Sequence, residues 1–411
     1  MAAEVKPSGG KKIWGLHPNI FFLGLTSLLT DISSEMIFTL IPLFLTNVLG
    51  ATTAIVGLVG GLSDSTEAIF KIFSGRLSDK IHRPKLLTVC GYSLATITKP
   101  FMLLASSWGA VVAIRLGDRV GKGIRSAPRD ALMADSLSPE ERGRGFGLRQ
   151  TMDTTGAVIG LIIAAIIIYT VEGGAVKLTM NSYRWMILGS IIPAALAVLV
   201  LAVFVQERQK VKAAAGQAAG QAAAAKPQKF DIRFKIFLAI TGIFMLGNSS
   251  DFFVILRAQN LNVPLVQVVL MLVLFNVTYA LSALPMGILS DKLGRKRIII
   301  LGWSIYALIY LGFALATQVW QSWLLFAGYG LYYGAFEGVG RALVADLVPA
   351  ERRGTAYGLY QGVVSIALLP ASLIAGWLWD KFNPAVPFYF GAGLAFVAML
   401  GITLLIKEKA R

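Results

Sequence analysis

Long apolar stretches separated by short polar ones run along almost the whole chain. Runs of about 20 residues, enough to cross roughly 30 Å of hydrocarbon as helix, fall near 18–47, 53–75, 86–106, 109–132, 146–170 and 184–205. Six more fall near 234–256, 265–289, 298–316, 322–345, 355–379 and 386–406. Between the two sets, from Gln206 to Phe230, Ala, Gln, Gly and Lys replace the apolar pattern, which reads as a linker whose alanines can form a loose helix. The pattern predicts an all-α integral membrane protein with twelve transmembrane helices in two six-helix bundles. Its parts are an N-terminal segment 1–17, a first bundle 18–205, a linker 206–233, a second bundle 234–406 and a tail 407–411.

Composition agrees with a bilayer as solvent. The 411 residues are 56% hydrophobic and only 15% charged, against about 25% charged in soluble chains. The net charge of +16 falls in short loops rather than on one basic face, which argues against nucleic-acid binding. The basic segments are the N-terminus (Lys6, Lys11, Lys12), 76–85, the loop with Arg142 and Arg144, the linker, 291–297, the loop with Arg352 and Arg353, and the C-terminus. The alternate loops around Ala51, Ser106 and Gln318 are uncharged. The positive-inside rule then places both termini in the cytoplasm of a multi-pass plasma (inner) membrane protein. Cys90 is the single cysteine, which excludes an internal disulfide and a cysteine-based metal site. The polar, basic N-terminus lacks the apolar core of a cleaved signal peptide, so the first helix is expected to be retained.

Three stretches recur half a chain apart. Gly75-Arg76-Leu77-Ser78-Asp79-Lys80-Ile81-His82-Arg83-Pro84-Lys85 returns as Gly287-Ile288-Leu289-Ser290-Asp291-Lys292-Leu293-Gly294-Arg295-Lys296-Arg297. Ala134-Asp135 through Arg142-Gly143 returns as Ala345-Asp346 through Arg353-Gly354, and Ser33-Ser34-Glu35 in helix 1 returns as Ser249-Ser250-Asp251 in helix 7. The first pair reads as a short charged turn between two helices. Its glycines (Gly75, Gly287) let a neighbouring helix approach, its acids (Asp79, Asp291) fix a negative charge at the membrane edge, and bases such as Arg83 and Arg295 mark the cytoplasmic side.

The twice-found pattern Gly-x-x-x-Asp-Lys-x-x-Arg-x-Lys/Arg resembles the loop signature of the major facilitator superfamily of secondary transporters. That resemblance implies two pseudo-symmetric halves with a binding cavity between them. It also implies a role in conformational gating for Gly75, Asp79, Arg83, Gly287, Asp291 and Arg295, with Asp79 near a helix end of the other half and stabilising the outward-open state. The run Arg119-Val120-Gly121-Lys122-Gly123-Ile124-Arg125-Ser126-Ala127 resembles the family's helix-4 motif. Arg119 would be its arginine, which in proton-driven members is associated with proton transfer near helix-1 acids. Gly147, Gly156 and Gly160 have the glycine spacing of the antiporter motif of helix 5, but Ala157 stands where that motif has Pro. The alternative reading of these glycines is close helix packing.

Ionisable residues inside the apolar runs carry the chemistry, because each costs roughly 2.5–3.5 kcal/mol at the membrane centre. The first half places Asp31 and Glu35 in helix 1, Asp64, Glu67 and Lys71 in helix 2, Lys99 in helix 3, Arg115, Asp118, Arg119 and Lys122 in helix 4, and Asp153 in helix 5. Spacings of three and four put Asp31 with Glu35, and Asp64 with Glu67, on single helix faces, opposite a basic stripe on helix 4. Asp31, Glu35, Asp64, Glu67 and Asp153 with Arg119 are therefore expected to couple protons, and depth along helices 1 and 4 lets the two acids of helix 1 meet Arg115 and Arg119. Substrate contacts are expected from Arg115 and Lys122, and in the second half from Asp251, Tyr279, Phe336, Glu337 and Arg341, with Glu337 and Arg341 spaced to pair with each other. The alternative for the whole set is structural salt bridging.

These residues predict a secondary active transporter working by alternating access, a proton-coupled exporter of small amphipathic organic compounds that resembles the drug:proton antiporter branch most. A symporter or exchanger for an anionic organic solute is the alternative, since guanidinium groups clamp carboxylates and phosphates. A non-transporting membrane receptor is a third, and no large soluble sensing domain supports it. With no nucleophile-and-base arrangement, metal-ligand cluster or phosphate loop, neither an enzyme nor a cofactor nor a metal is expected. The expected partners are a small-molecule substrate, protons and the lipid bilayer, with the protein itself a monomer.

Overall fold

In the computed structural model, residues 13, 17–81, 83–137, 141–207, 230–349 and 352–406 are described. They form twelve spanning helices in chain order: α1 (Pro18–Phe38), α2 (Thr53–Ile81), α3 (Pro84–Phe101), α4 (Trp108–Asp135), α5 (Arg142–Glu172), α6 (Met180–Phe204), α7 (Ile232–Gly247), α8 (Leu265–Leu293), α9 (Arg295–Leu315), α10 (Val319–Leu347), α11 (Arg353–Lys381) and α12 (Val386–Leu405). Two of the spans are discontinuous. After α1 the chain continues through Ile41–Leu43 and a π-helical turn at Phe44–Val48, and after α7 it resumes as Phe252–Asn260. Helix 7 is thus not the single run that its apolarity predicts, because Asn248 to Asp251 leave the helical path.

Nine spans among the described residues are long and apolar enough to cross a membrane by length and composition alone. The three that fall outside that set are α2, α4 and α10. Their polarity has a visible origin, since α2 carries Asp64, Glu67 and Lys71, α4 carries five ionised residues from Arg115 to Arg125, and α10 carries Glu337 and Arg341 among glycines and tyrosines. These helices are held in place by their neighbours rather than by lipid.

Packing repeats with six-helix periodicity. In the first half α1 packs on α5 and α6, α2 on α4, and α3 on α4 and α6. The second half repeats this as α7 on α11 and α12, α8 on α10, and α9 on α10 and α12. The halves join along α2 with α11 and along α5 with α8, and these two seams are equivalent under the same repeat.

One end of the bundle carries Arg83, Arg144, Arg295 and Arg352 and is the basic end. The other, at the starts of α2, α4, α8 and α10, is the neutral end. The seam between α2 and α11 has a constant antiparallel register. A Cβ on Gly376 would lie 2.6 Å from the Ala54 Cα, one on Gly57 2.2 Å from the Ser372 carbonyl oxygen, and one on Gly61 2.7 Å from the Leu369 Cα. Deeper in the same register Ser65 Oγ donates to the Ser365 carbonyl at 3.2 Å. Continued toward the basic end it would pair Ile69 with Gln361 and Phe73 with Tyr357. There the seam has parted, as Ile69 is 64% and Phe73 59% exposed. Two hydrogen bonds between the halves, Leu265 N–H to the Ala175 carbonyl at 3.1 Å and Gln259 Nε2 to the Val176 carbonyl at 3.2 Å, also lie at the neutral end. The halves are closed at the neutral end and open at the basic end.

The repeated charged stretches are not turns, as their composition suggests. α2 continues in helix to Ile81 and α8 to Leu293, and α8 stops only at Gly294, whose φ of 99° ends the helix. Charged side chains tolerate helix once it has left the hydrocarbon, so apolar run length underestimates helix length at this end. Gly75 makes only ordinary contact with Ala127, and Gly287 faces open space, so neither is a site of close helix approach here. Asp291 pairs with Arg295, which also reaches Asp346 at 3.5 Å, all within the second half. Arg83 is exposed and precedes the first residue of α3. The side chain of Asp79 lies outside the described residues. So does most of the linker, 208–229, and α7 begins two residues earlier than its apolar pattern indicates.

Gly156 and Gly160 of α5 do pack closely. A Cβ at either position would lie 2.4 Å from a carbonyl oxygen of α1, that of Leu28 or of Ile32. Gly160→Leu is expected to force α1 and α5 apart and cost about 1–3 kcal/mol, read as a lower melting temperature of the detergent-purified protein. Gly174→Ala, at a position with open space around it, should leave the melting temperature unchanged.

Candidate functional site

The two closed-end seams roof a cavity of about 270 Å³ between the halves. α1 supplies Asp31, Ser34 and Glu35, α2 supplies Ser63 and Asp64, and α4 supplies Arg115, Arg119, Lys122 and Arg125. The second half contributes Ser250, Asp251 and Phe252 from the break in helix 7, and Phe275 and Asn276 from α8. The internal echo is thereby given a meaning in space. Ser34-Glu35 and Ser250-Asp251 are equivalent in the repeat and line the same cavity from opposite halves.

The basic stripe of α4 is largely neutralised by Asp118 of the same helix and Glu67 of α2. Arg119 donates from Nε and Nη2 to Asp118 Oδ2 at 3.0 and 2.8 Å, and from Nη1 to Glu67 Oε2 at 2.8 Å. Arg115 Nη1 reaches the same Asp118 oxygen at 3.4 Å, and Lys122 Nζ lies 3.2 Å from Glu67 Oε2. Asp118, Arg115 and Arg119 are all buried. Such pairing is what makes ionised groups tolerable in a medium where their desolvation costs several kcal/mol each. The expected meeting of Asp31 and Glu35 with Arg115 and Arg119 therefore takes a different form. All four line one cavity, but the arginines bond to Asp118 and Glu67 instead.

The cavity carboxylates have weaker partners. Glu35 accepts from the Thr39 hydroxyl, one turn on. Asp251 accepts from the Tyr329 hydroxyl at 2.7 Å and from the Tyr333 hydroxyl at 3.2 Å. Neither Asp31 nor Asp64 has a hydrogen bond or ion pair to another described residue. Lys99 is 1% exposed, and its Nζ donates to Ser33 Oγ at 2.5 Å and Ser34 Oγ at 3.2 Å, so it fastens α3 to the cavity stretch of α1.

Other expected site residues fall elsewhere. Asp153 is bound by Arg149 at 2.5 Å on its own helix and does not line the cavity. Tyr279, Glu337 and Arg341 form a separate cluster, with the Tyr279 hydroxyl donating to Glu337 Oε2 at 2.6 Å and Arg341 Nη2 to Glu337 Oε1 at 2.9 Å. Phe336 is buried and packs against Phe244, Trp303 and Tyr332 in the aromatic core of the second half. Arg125, not singled out from sequence as a site residue, lines the cavity with its guanidinium 4.1 Å over the Tyr92 ring. Its Nε and Nη1 are buried without an acceptor. The signal was there, because Arg125 continues the three- and four-residue spacing of the α4 stripe. Among the described residues no group of His, Cys, Asp and Glu side chains is placed to hold a metal ion.

Removing Arg119 leaves Asp118 with a single long contact to Arg115. Arg119→Ala is expected to destabilise the first half by about 3–5 kcal/mol, read as a lower melting temperature than that of Arg149→Ala, whose ion pair lies outside the cavity.

A sequence model described as Major Facilitator Superfamily matches residues 23–257 and 236–411. The chain is 37% identical over 392 residues to an uncharacterized MFS-type transporter of Methanocaldococcus jannaschii, covering 94% of each chain. It is 32% identical over 195 residues to the multidrug resistance protein MdtG of Serratia proteamaculans, covering 44% of this chain and 46% of that one. In fold it is similar to a crystal structure of a D-xylose-proton symporter, with a TM-score of 0.77, 16% identity and coverage of 95% of this chain and 97% of the other. With its two repeated bundles and the cavity between them, this multi-pass membrane chain belongs to the major facilitator superfamily of transporters.

Proposed function

We propose that this transporter couples proton movement to the export of small amphipathic organic compounds by alternating access, with Asp31, Glu35 and Asp64 as the proton-carrying groups. One observation carries the reading. Three of the cavity's four bases, Arg115, Arg119 and Lys122, are occupied by Asp118 and Glu67, whereas Asp31, Glu35, Asp64 and Asp251 face the same space without a bonded cation. A carboxyl group so placed is free to exchange its proton with water in the cavity or to meet a positively charged substrate group. Competition between proton and substrate for these groups is the physical basis of exchange. Phe252 and Phe275 supply apolar surface beside Asp251, which suits an amphipathic solute. The partial likeness to a multidrug resistance protein supports the same reading. With the basic end in the cytoplasm of the plasma membrane, as the loop charges favour, the conformation is inward-open and poised to load from inside. Glu67 and Asp153 then act through the pairs they make with α4 and with Arg149.

A second reading, transport of an anionic organic solute, draws on Arg125, whose unpaired donors sit at the cavity wall. A thermal-shift screen of the purified protein against cationic, neutral and anionic amphipaths separates the two, since a ligand of the folded state raises its apparent stability. Export of amphipathic cations predicts stabilisation by cationic members that is lost in Asp251→Asn. Stabilisation by anions alone, lost in Arg125→Ala, selects the second reading.

The coupling assignment has its own test in proteoliposomes with an imposed pH gradient, using whichever compound the screen identifies. Asp31→Asn, Glu35→Gln and Asp64→Asn are each expected to abolish gradient-driven transport while binding survives. Full transport in the combined Asp31→Asn, Glu35→Gln, Asp64→Asn variant would refute it.

A further inference from the structure

At the neutral end one carboxylate bridges the two halves. Asp380, in the last turn of α11, accepts from the Thr53 N–H at 3.2 Å and from the Thr53 hydroxyl with Oδ1, and from the Ala54 N–H at 2.8 Å with Oδ2. Thr53 and Ala54 are the first residues of α2. The first-turn N–H groups of a helix have no acceptor within the helix and carry its positive dipole end, so they are usually capped by a side chain just upstream. In α2 the cap comes instead from the other half of the molecule.

We infer that Asp380 is a positioning residue of the transport cycle, a latch that caps α2 only while the neutral end is closed. The register of the seam makes this more than an isolated contact. Residues 376, 372, 369 and 365 of α11 meet 54, 57, 61 and 65 of α2, and the bond of Asp380 to Thr53 and Ala54 is the last step of that alignment. Below the latch, the glycines at 57, 61 and 376 bring the two backbones into direct contact, an approach that any larger side chain would block. The same seam is parted at the basic end, so latch and opening lie at opposite ends of one pair of helices. Separation of the halves at the neutral end must break all three bonds at once and leave both the carboxylate and the start of α2 to water. The latch thus biases the resting protein toward the basic-end-open conformation and sets how readily it opens the other way.

The inference rests on the alternating-access reading but not on proton coupling or on any substrate, and its test reads conformation alone. With Cys90→Ser as background, spin labels are placed at Leu104→Cys and Leu315→Cys, both exposed at the neutral end on opposite halves. A second pair is placed at Leu86→Cys and Ile288→Cys, exposed near the basic end. Asp380→Ala and Asp380→Asn are expected to raise the population of long neutral-end distances by about tenfold or more, since loss of even one of the three charge-assisted bonds has an effect of that size. The basic-end distances should shorten in the same samples, and Asp380→Glu should shift less than either. Thr53→Val, which removes only the hydroxyl donor, should shift both pairs in the same direction and serves where the Asp380 variants fail to fold. Unchanged neutral-end distances in these variants would overturn the inference. So would lengthening at the neutral end without shortening at the basic end, because that pattern is local fraying and not a change of state.

Discussion

Everything in this molecule is subordinate to the cost of holding ionised groups in hydrocarbon. α4 carries more charge than its neighbours, and it is stable as a spanning helix because Asp118 lies between Arg115 and Arg119 and because Glu67 of α2 reaches Arg119 and Lys122. This network fixes α2 against α4, and α2 is the helix that forms one of the two seams with the second half. The charge pairing inside one half thus determines which surface that half offers to the other.

The second half solves the same problem differently. Its cavity acid, Asp251, stands at a break in helix 7 and is held by hydroxyls of Tyr329 and Tyr333 rather than by arginine. Aromatic packing of Phe244, Trp303, Tyr306 and Tyr332 stiffens the scaffold around it. The asymmetry has a functional consequence. One wall of the cavity carries a paired charge network with acids beside it, while the other offers a single acid beside apolar rings. The seam between α2 and α11, by contrast, is built from small residues and few polar bonds.

The chain by itself determined the architecture, because the period and length of apolar runs are set by bilayer thickness and repeats are visible as repeated residues. Twelve spans, two halves and the acidic residues of the cavity at 31, 35, 64 and 251 were all legible in this way. Segment boundaries were less so. Apolarity ends at the edge of the hydrocarbon, whereas helix ends where the backbone turns, as at Gly294, so α2 and α8 run past their apolar stretches. The break in helix 7 was hidden because Asn248-Ser249-Ser250-Asp251 is polar enough to break a helix yet short enough to be carried within one.

Only the tertiary structure decided which charges meet. Spacing places residues on a helix face but does not say which helix that face opposes, so Arg119 pairs with Glu67 and Asp118 and not with Asp31 or Glu35, and Asp153 pairs with Arg149 of its own helix. The same limit explains Phe336, an aromatic on a cavity-forming helix that turns into the core. It explains Asp380 as well, an acid at a helix end whose partners, Thr53 and Ala54, lie in the other half of the chain. The physical reason is common to all of these. Local sequence fixes the direction of a side chain relative to its own helix, while the depth, rotation and neighbours of that helix are settled only when twelve of them pack together.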